Sequence, residues 1–306
     1  MRQNPIISII IPTYNRPELL RRAIKSVLNQ TFQRFEIIVV DDGLVERANK
    51  IIKEIDDLRV VYIQHKENRG ASAARNTGNE KARGEFVTFL DDDDEFYPEK
   101  LKKQLEIMKK FGKQIDYTFC LADIYSQQTG DFSYTQKYDL EEGTGSFFEE
   151  ALSMNMAVAT PSIFCKREKA LEIGVFDVTF PNAEDRDFFI RLSKNSKGFF
   201  LNQSLVKVNF SDSEKVRLSG NLEFRIKGRE KLLEKYNYDL TKRPKVLAKH
   251  LLLLAFLCQK NNDFKKANDL FFRGWKLNKR DFRFLKQILK NLFLHFFYKT
   301  LKKKTN

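Results

Sequence analysis

With 306 residues, 42% of them hydrophobic and 31% charged, the chain is long enough to bury a full core and has the composition of a globular protein, not of a disordered or fibrous one. Its three cysteines, Cys120, Cys165 and Cys258, are odd in number and far apart, which excludes a disulfide framework and a CxxC metal site and fits a reducing compartment. No apolar run approaches the roughly 20 residues that span a bilayer, and the amino-terminal run is broken by proline without a cleavage site, so neither a membrane anchor nor a signal peptide is expected.

The net charge of +14 is unevenly spread. Residues 214–306 hold 25 Lys and Arg against 8 Asp and Glu, a net of +17, whereas residues 1–213 carry 30 against 33, a net of −3. This predicts a domain over 1–213 and a basic α-helical extension over 214–306. The extension calls for an anionic surface as partner, either membrane lipid or nucleic acid; nucleic acid is disfavoured because the tail shows no recognisable motif.

In chain order, Ile6 to Ile11 is a continuous β-branched run of the kind buried on both faces in a parallel sheet. A loop, Pro12 to Pro17, leads into a helix over Pro17 to Asn29 with a proline at its start. Strands over Phe35 to Val40, Arg59 to Gln64 and Phe86 to Leu90 alternate with helices over Val45 to Ile55 and Ala71 to Ala82. Such βα alternation specifies an open, largely parallel α/β sheet, whose ligands bind outside the carboxyl ends of the strands. Further on, strands are expected within Ile115 to Tyr138 and over Pro161 to Lys166, and helices over Ser146 to Ser153 and Lys169 to Ile173. The acids of Glu184, Asp185 and Asp187 precede an amphipathic helix. From Leu222 the pattern is helical, with Lys245 to Gln259 and Asp263 to Leu277 as an antiparallel pair. An apolar and lysine-rich helix then runs from Asp281 to Lys304.

Three loops would converge at the carboxyl ends of the strands. Asp91, Asp92, Asp93 and Asp94 follow Phe86 to Leu90 without a spacer; hard oxygens in that number suit magnesium or manganese bound with a substrate's phosphates, or else form a solvated acidic turn before the helix begun by Pro98. Tyr14 could stack on a base or be an ordinary loop aromatic, and Asp42 could accept from a base N–H or be a turn residue before Gly43. The small residues from Asn68 to Asn76, with Arg75, would suit a diphosphate. None of the glycines falls into GxGxxG or GxxxxGK, so neither a dinucleotide fold nor a P-loop is supported.

The runs ISIIIPTYNR, SVLNQTF, EIIVVDDG, NRGASAARNTGNEKARGEFVTFLDDDD and YPEKL, in this order and spacing, resemble the family 2 glycosyltransferases over about residues 5 to 210. The resemblance implies a GT-A fold, a mixed and mainly parallel sheet flanked by helices, and a nucleotide-diphosphate sugar donor used with Mg2+ or Mn2+. It implies that Pro12, Tyr14 and Asp42 hold the nucleoside, that Arg75 lies near the diphosphate, and that Asp91 and Asp93 are the outer carboxylates of the DXD motif. Asp93 would be the metal ligand, with Asp92 beside it in the donor site. Family members carry a Glu-Asp pair before an aromatic-rich helix, which makes Asp185 the expected general base ahead of Glu184 or Asp187. Many also have a histidine after the next strand; Val206 to Ser211 contains none.

The expected activity is inverting transfer of a sugar to a hydroxyl of a glycan or lipid-linked acceptor, in the cytoplasm and peripherally on the inner face of the membrane. A non-catalytic nucleotide-sugar binder and a nucleic-acid-binding protein acting through the basic tail are the alternatives. A sugar-nucleotide pyrophosphorylase would need a glycine-rich loop with a lysine near the amino end, which is absent.

Overall fold

Every residue of β1 (Ile7–Thr13) and of β2 (Phe35–Asp41) is buried, and the two pair in parallel from Ile7 opposite Phe35 to Thr13 opposite Asp41. Cover on both faces explains why their sequences read as unbroken β-branched runs and not as alternating ones. The computed structural model describes residues 4–43, 47–153, 156–210 and 221–304, with backbone alone at 47, 293 and 295–304. By its contacts the chain divides into two compact units: 1–151, 155–178 and 184–212 form one, and 152–154, 179–183 and 213–306 the other.

In the first unit β1 and β2 are followed by β3 (Val60–Gln64) and β4 (Phe86–Phe89), joined by α1 (Pro17–Leu28), α2 (Arg47–Ile55) and α3 (Ala71–Lys81). The expected start of α2 at Val45 lies outside the described residues. Small residues let α3 sit directly on the sheet: a Cβ at Gly78 would lie 2.4 Å from Cγ2 of Ile10. The chain continues through β5 (Glu95–Phe96), α4 (Lys100–Phe111), β6 (Tyr117–Ser126), β7 (Phe132–Thr135), β8 (Gly143–Gly145), α5 (Phe148–Ser153), β9 (Phe164–Lys166), α6 (Arg167–Glu172), α7 (Glu184–Lys194) and β10 (Gly198–Phe210). The strand order is β3-β2-β1-β4-β9-β6-β10-β5, with β7 on β6 and β8 on β10. This is the expected mixed sheet, parallel through β3-β2-β1-β4 and again between β6 and β10.

One local expectation differs, and one short strand was not foreseen. The strand foreseen from Pro161 begins only at Phe164, because Thr160–Ser162 is a tight helical turn in which proline, lacking an N–H, takes an early position. The two-residue β5, too short to leave a pattern, pairs antiparallel with β10 at Val206 and Lys207.

The second unit is built from α8 (Leu222–Lys235), α9 (Asn237–Thr241), α10 (Pro244–Lys260), α11 (Phe264–Leu277) and α12 (Arg283–Lys304). Leu251, Leu254, Ala255, Cys258, Ala267, Leu270, Phe271 and Phe284 form its core. Phe284 packs so closely on α11 that a Cβ at Gly274 would lie 2.3 Å from its ring. Asn291 is fully buried and holds α12 in place: its Nδ2 donates to Phe264 O at 2.8 Å and to Asn268 Oδ1 at 2.9 Å. The apolar stripe foreseen on this helix is therefore divided, with Ile288 packed on the core while Leu289 and Leu292 are exposed. All three cysteines are buried and free.

Candidate functional site

The loops after β1 and β2 meet directly, since Asp42 N donates to Thr13 O at 2.9 Å. Pro12 is buried at the end of β1, whereas Tyr14, one step further, is 50% exposed and presents its ring. Gly43 closes the other side, where a Cβ would stand 2.7 Å from Asn15 Oδ1. The buried Asp42 carboxylate accepts from His65 Nδ1 at 2.8 Å and from the backbone N–H groups of Arg69 at 2.8 Å and Gly70 at 2.7 Å. Because a carboxylate only accepts, Nδ1 is the protonated nitrogen of His65. Asp42 thereby ties the loop before α3 to the end of β2. Beside it, burial raises the Asp41 carboxyl above its usual range, against hydrogen bonds from Gly43 N and Tyr62 Oη.

The four aspartates after β4 have separate environments. Asp92 accepts from Thr13 Oγ1 at 2.8 Å, and Arg16 Nη1 lies 3.3 Å from both Asp92 Oδ1 and Asp93 Oδ2. Burial, reinforced by the charge of Asp93, pushes the Asp92 carboxyl up to about 6. Asp94 Oδ1 accepts from Asn209 N at 2.9 Å. The Asp93 carbonyl receives Arg22 Nη2 at 2.6 Å and Asn209 Nδ2 at 2.7 Å. Three of the carboxylates are thus buried, while Asp91 remains partly open.

Arg75, 5% exposed, projects from α3 and joins this loop to the head of α7. Its Nη2 donates to Asp91 Oδ1 at 2.5 Å, its Nη1 to Glu184 Oε1 at 3.4 Å, and its guanidinium lies 5.1 Å from the centre of the Phe176 ring. Burial works against its charge, but Asp91 and then Glu184 outweigh burial and hold the guanidinium's pKa above its ordinary value. Arg75 Nε finds no partner among the described residues. Burial, and then the charge of Asp185, raise the Glu184 carboxyl, with Arg75 opposing. Asp185, half-buried, accepts from Arg186 N at 2.6 Å. Asp187 is fully buried and accepts from Arg191 Nε at 2.8 Å, while the other Arg191 nitrogens bind the carbonyls of Ile173 and Val175. That environment gives Asp187 a structural part. The acids expected to precede α7 form its first turn instead, where they compensate the dipole.

Pro12, Tyr14 and Asp42 therefore line one group of loops, and Arg75, Asp91, Glu184 and Asp185 a second, linked through Asp92 and Asp93 by Thr13 and Arg16. Arg16, Arg22, His65 and Asn209 were not among the expected site residues. Arg16 stood in the PTYNR run, and Asn209 lies in the stretch, Val206 to Ser211, in which a histidine was sought; neither Arg22 nor His65 leaves a signal in sequence alone.

Among the described residues no group of three or more His, Cys, Asp or Glu side chains is arranged to hold a metal ion. Asp91 Oδ1 is taken by Arg75 and Asp93 Oδ2 faces Arg16. The donor set is hard oxygen, and it fits a cation of the Mg2+ type that takes one or two carboxylates and completes its shell with a substrate's phosphates and water. It does not fit an ion caged by protein alone.

Residues 8–172 match the family model for glycosyl transferase family 2. An uncharacterized glycosyltransferase of Rickettsia typhi is 30% identical over 257 residues, which are 81% of this chain and 78% of the relative. WcaA of Escherichia coli K12, provisionally named for colanic acid biosynthesis, is 34% identical over 199 residues, 63% of this chain and 67% of its own. Among solved structures, S. aureus TarS 1–349 superposes with a TM-score of 0.58 at 17% identity, covering 90% of this chain and 73% of that one; the same segment has also been solved in complex with UDP and with UDP-GlcNAc. The GT-A sheet, the loops at its carboxyl edge and a family match over more than half of the chain agree, and the protein is a member of glycosyl transferase family 2.

Proposed function

We propose that the protein transfers a sugar from a nucleoside-diphosphate donor to a hydroxyl of a glycan or lipid-linked acceptor, with inversion in one displacement. The observation that carries this reading is Arg75: a buried guanidinium, held between Asp91 and Glu184, whose Nε has no partner among the described residues. Such a cation is suited to a leaving diphosphate. Tyr14 and Pro12 would bound the base, with Asp42 fixing the loop beneath.

The acceptor oxygen forms its bond to the anomeric carbon as the bond from that carbon to the diphosphate oxygen breaks. Asp185 takes the acceptor proton, and the electron pair leaves with the diphosphate, whose charge Arg75 meets. Asp93, with Asp91, would hold Mg2+ or Mn2+, which supplies positive charge to the diphosphate when bound. UDP and UDP-GlcNAc, the ligands of the TarS complexes, are the first nucleotide and the first donor to test.

The basic helical unit supports a second element, peripheral docking on an anionic membrane at the cytoplasmic face. Exposed Leu289 and Leu292 stand beside Lys286 and Lys290 on α12, a mixture that suits a lipid interface. Among the described residues no helix is long and apolar enough to cross a membrane.

A thermal-shift panel of nucleoside diphosphates and their sugars, with and without manganese, tests the donor reading, because a ligand at 100 times its dissociation constant stabilises by about 2.7 kcal/mol. Release of nucleoside diphosphate from the donor separates an enzyme from a non-catalytic binder. A panel without any manganese-dependent shift would overturn the proposal.

A further inference from the structure

The hairpin of β6 and β7 exposes an aromatic ring, Phe132, that the reaction above does not use. Asn209, which binds the Asp93 carbonyl, lies opposite Tyr125 on the neighbouring strand, and Lys207 lies opposite Asp123. The irregular steps in that pairing fall in β10, so β6 alternates regularly. Tyr117 and Phe119 pack on Phe189 of α7 at ring distances of 5.8 and 5.2 Å, so Asp123 and Tyr125 continue the face of β6 that α7 covers. The first turn of α7 carries Glu184 and Asp185.

On β7 the pairing shifts by one residue between Ile124 opposite Tyr134 and Tyr125 opposite Phe132. Such a bulge re-aims a side chain. Here it turns Phe132 onto the Tyr125 face, where the two rings meet edge to face at 5.5 Å, while Tyr134 keeps to the opposite face. Phe132 is nonetheless 55% exposed, so one of its sides is supported and the other open.

The base of this platform is braced by hydrogen bonds. Asp123 accepts from Thr135 Oγ1 at 2.6 Å and from Tyr97 Oη at 2.9 Å, Tyr97 Oη lies 3.5 Å from Tyr125 Oη, and Lys207 Nζ sits 4.7 Å from the centre of the Tyr125 ring. Lys207 Nζ is also paired with Glu95 Oε1 at 3.2 Å, so the feature offered to a ligand is the flat apolar face of Phe132, which matches the C–H face of a pyranose.

We propose that Phe132, backed by the Tyr125 ring that Lys207 approaches, is the stacking platform for a pyranose ring of the acceptor. The proposal rests on the glycosyltransferase reading above, and continuity with the donor loop through Asn209 is what commits the occupant to an acceptor sugar. Saturation-transfer NMR tests it, using methyl pyranosides of glucose, galactose, N-acetylglucosamine and glucuronic acid, with the nucleoside diphosphate that stabilises the protein best already bound.

Ring protons of at least one pyranoside receive saturation from the wild type. Phe132→Ala weakens that binding by about tenfold, and Phe132→Trp restores it. Nucleoside-diphosphate affinity, measured by calorimetry on each sample, reports whether the donor site is folded. Failure of the wild type to bind any nucleoside diphosphate would sink the glycosyltransferase reading itself. Normal nucleotide binding with no pyranoside signal, or with a signal indifferent to Phe132→Ala, overturns the platform alone.

Discussion

Asn209 Nδ2 donates to the carbonyl oxygen of Asp93 at 2.7 Å, and the Asn209 backbone N–H donates to Asp94 Oδ1 at 2.9 Å. A residue at the end of β10 thereby holds the shape of the acidic loop. Asn209→Ala removes the first bond, but Arg22 still serves the Asp93 carbonyl. The stability loss should therefore be about 1 kcal/mol in denaturant titration, while manganese-dependent donor affinity falls more clearly. Unchanged donor affinity would show that the loop keeps its shape without Asn209.

Asp93→Asn keeps the size of the side chain and removes the charge offered to a metal. Manganese-dependent donor binding should be lost, and the midpoint of thermal unfolding should change little, because the backbone contacts of residue 93 with Arg22 and Asn209 do not need its carboxylate. Donor turnover that still responds to manganese would remove Asp93 from the metal site.

Asp185 and Asp187 are two residues apart on α7 and should fail differently. Asp185→Asn is expected to keep donor affinity and to lower turnover by about 10². Asp187→Asn breaks a buried pair with Arg191 and should cost about 3 kcal/mol of stability. If Glu184→Gln were inactive and Asp185→Asn active, the base would be Glu184, whose carboxyl burial already raises.

Lys100 gives a pH signature of stability that is separate from the proposed reaction. It is fully buried, with Nζ 3.0 Å from Thr88 Oγ1 and 4.2 Å from the centre of the Phe96 ring, and burial lowers its pKa from 10.5 to about 7. Between about 7 and 10.5 the unfolded chain binds a proton that the folded chain does not, so this group makes stability rise with pH across that window; below 7 the whole penalty is present. Burial pushes the Cys120 thiol up to about 11 and Cys165 up to about 12, which acts oppositely above pH 9, so the comparison belongs between pH 7 and 8.5. Denaturant titrations there should show a rising stability in the wild type and a flatter profile in Lys100→Met; parallel profiles would refute the assignment.

Removing the tail from Arg280 would take Phe284 and Asn291 out of the second unit's core, so that truncation should unfold the helices, not merely release them from lipid. Charge removal is the cleaner variant. Replacing Lys302, Lys303 and Lys304 by Gln should reduce binding to anionic vesicles by roughly a hundredfold, at about 1 kcal/mol for each charge near the surface, and raised salt should weaken the wild type similarly. Equal sedimentation with neutral and anionic vesicles would end the electrostatic argument.

The local sequence determined the sheet and the loops at its edge. Strands buried on both faces leave unbroken runs such as Ile6 to Ile11, and the acidic run after Phe89 and the small residues before Arg75 are visible as composition. The two-residue β5 and the turn at Thr160–Ser162 were not legible, because elements of two or three residues carry no period. Only the tertiary structure decided which acids are committed to distant partners: Asp42 to His65 and two backbone N–H groups, Asp94 to Asn209. Burial and a hydrogen-bond partner many positions away set the state of a carboxylate, and neither is a property of the residue's neighbours in the chain. The same holds for Phe132, an unremarkable aromatic in sequence, which a single shift of strand register places on the face shared with Tyr125.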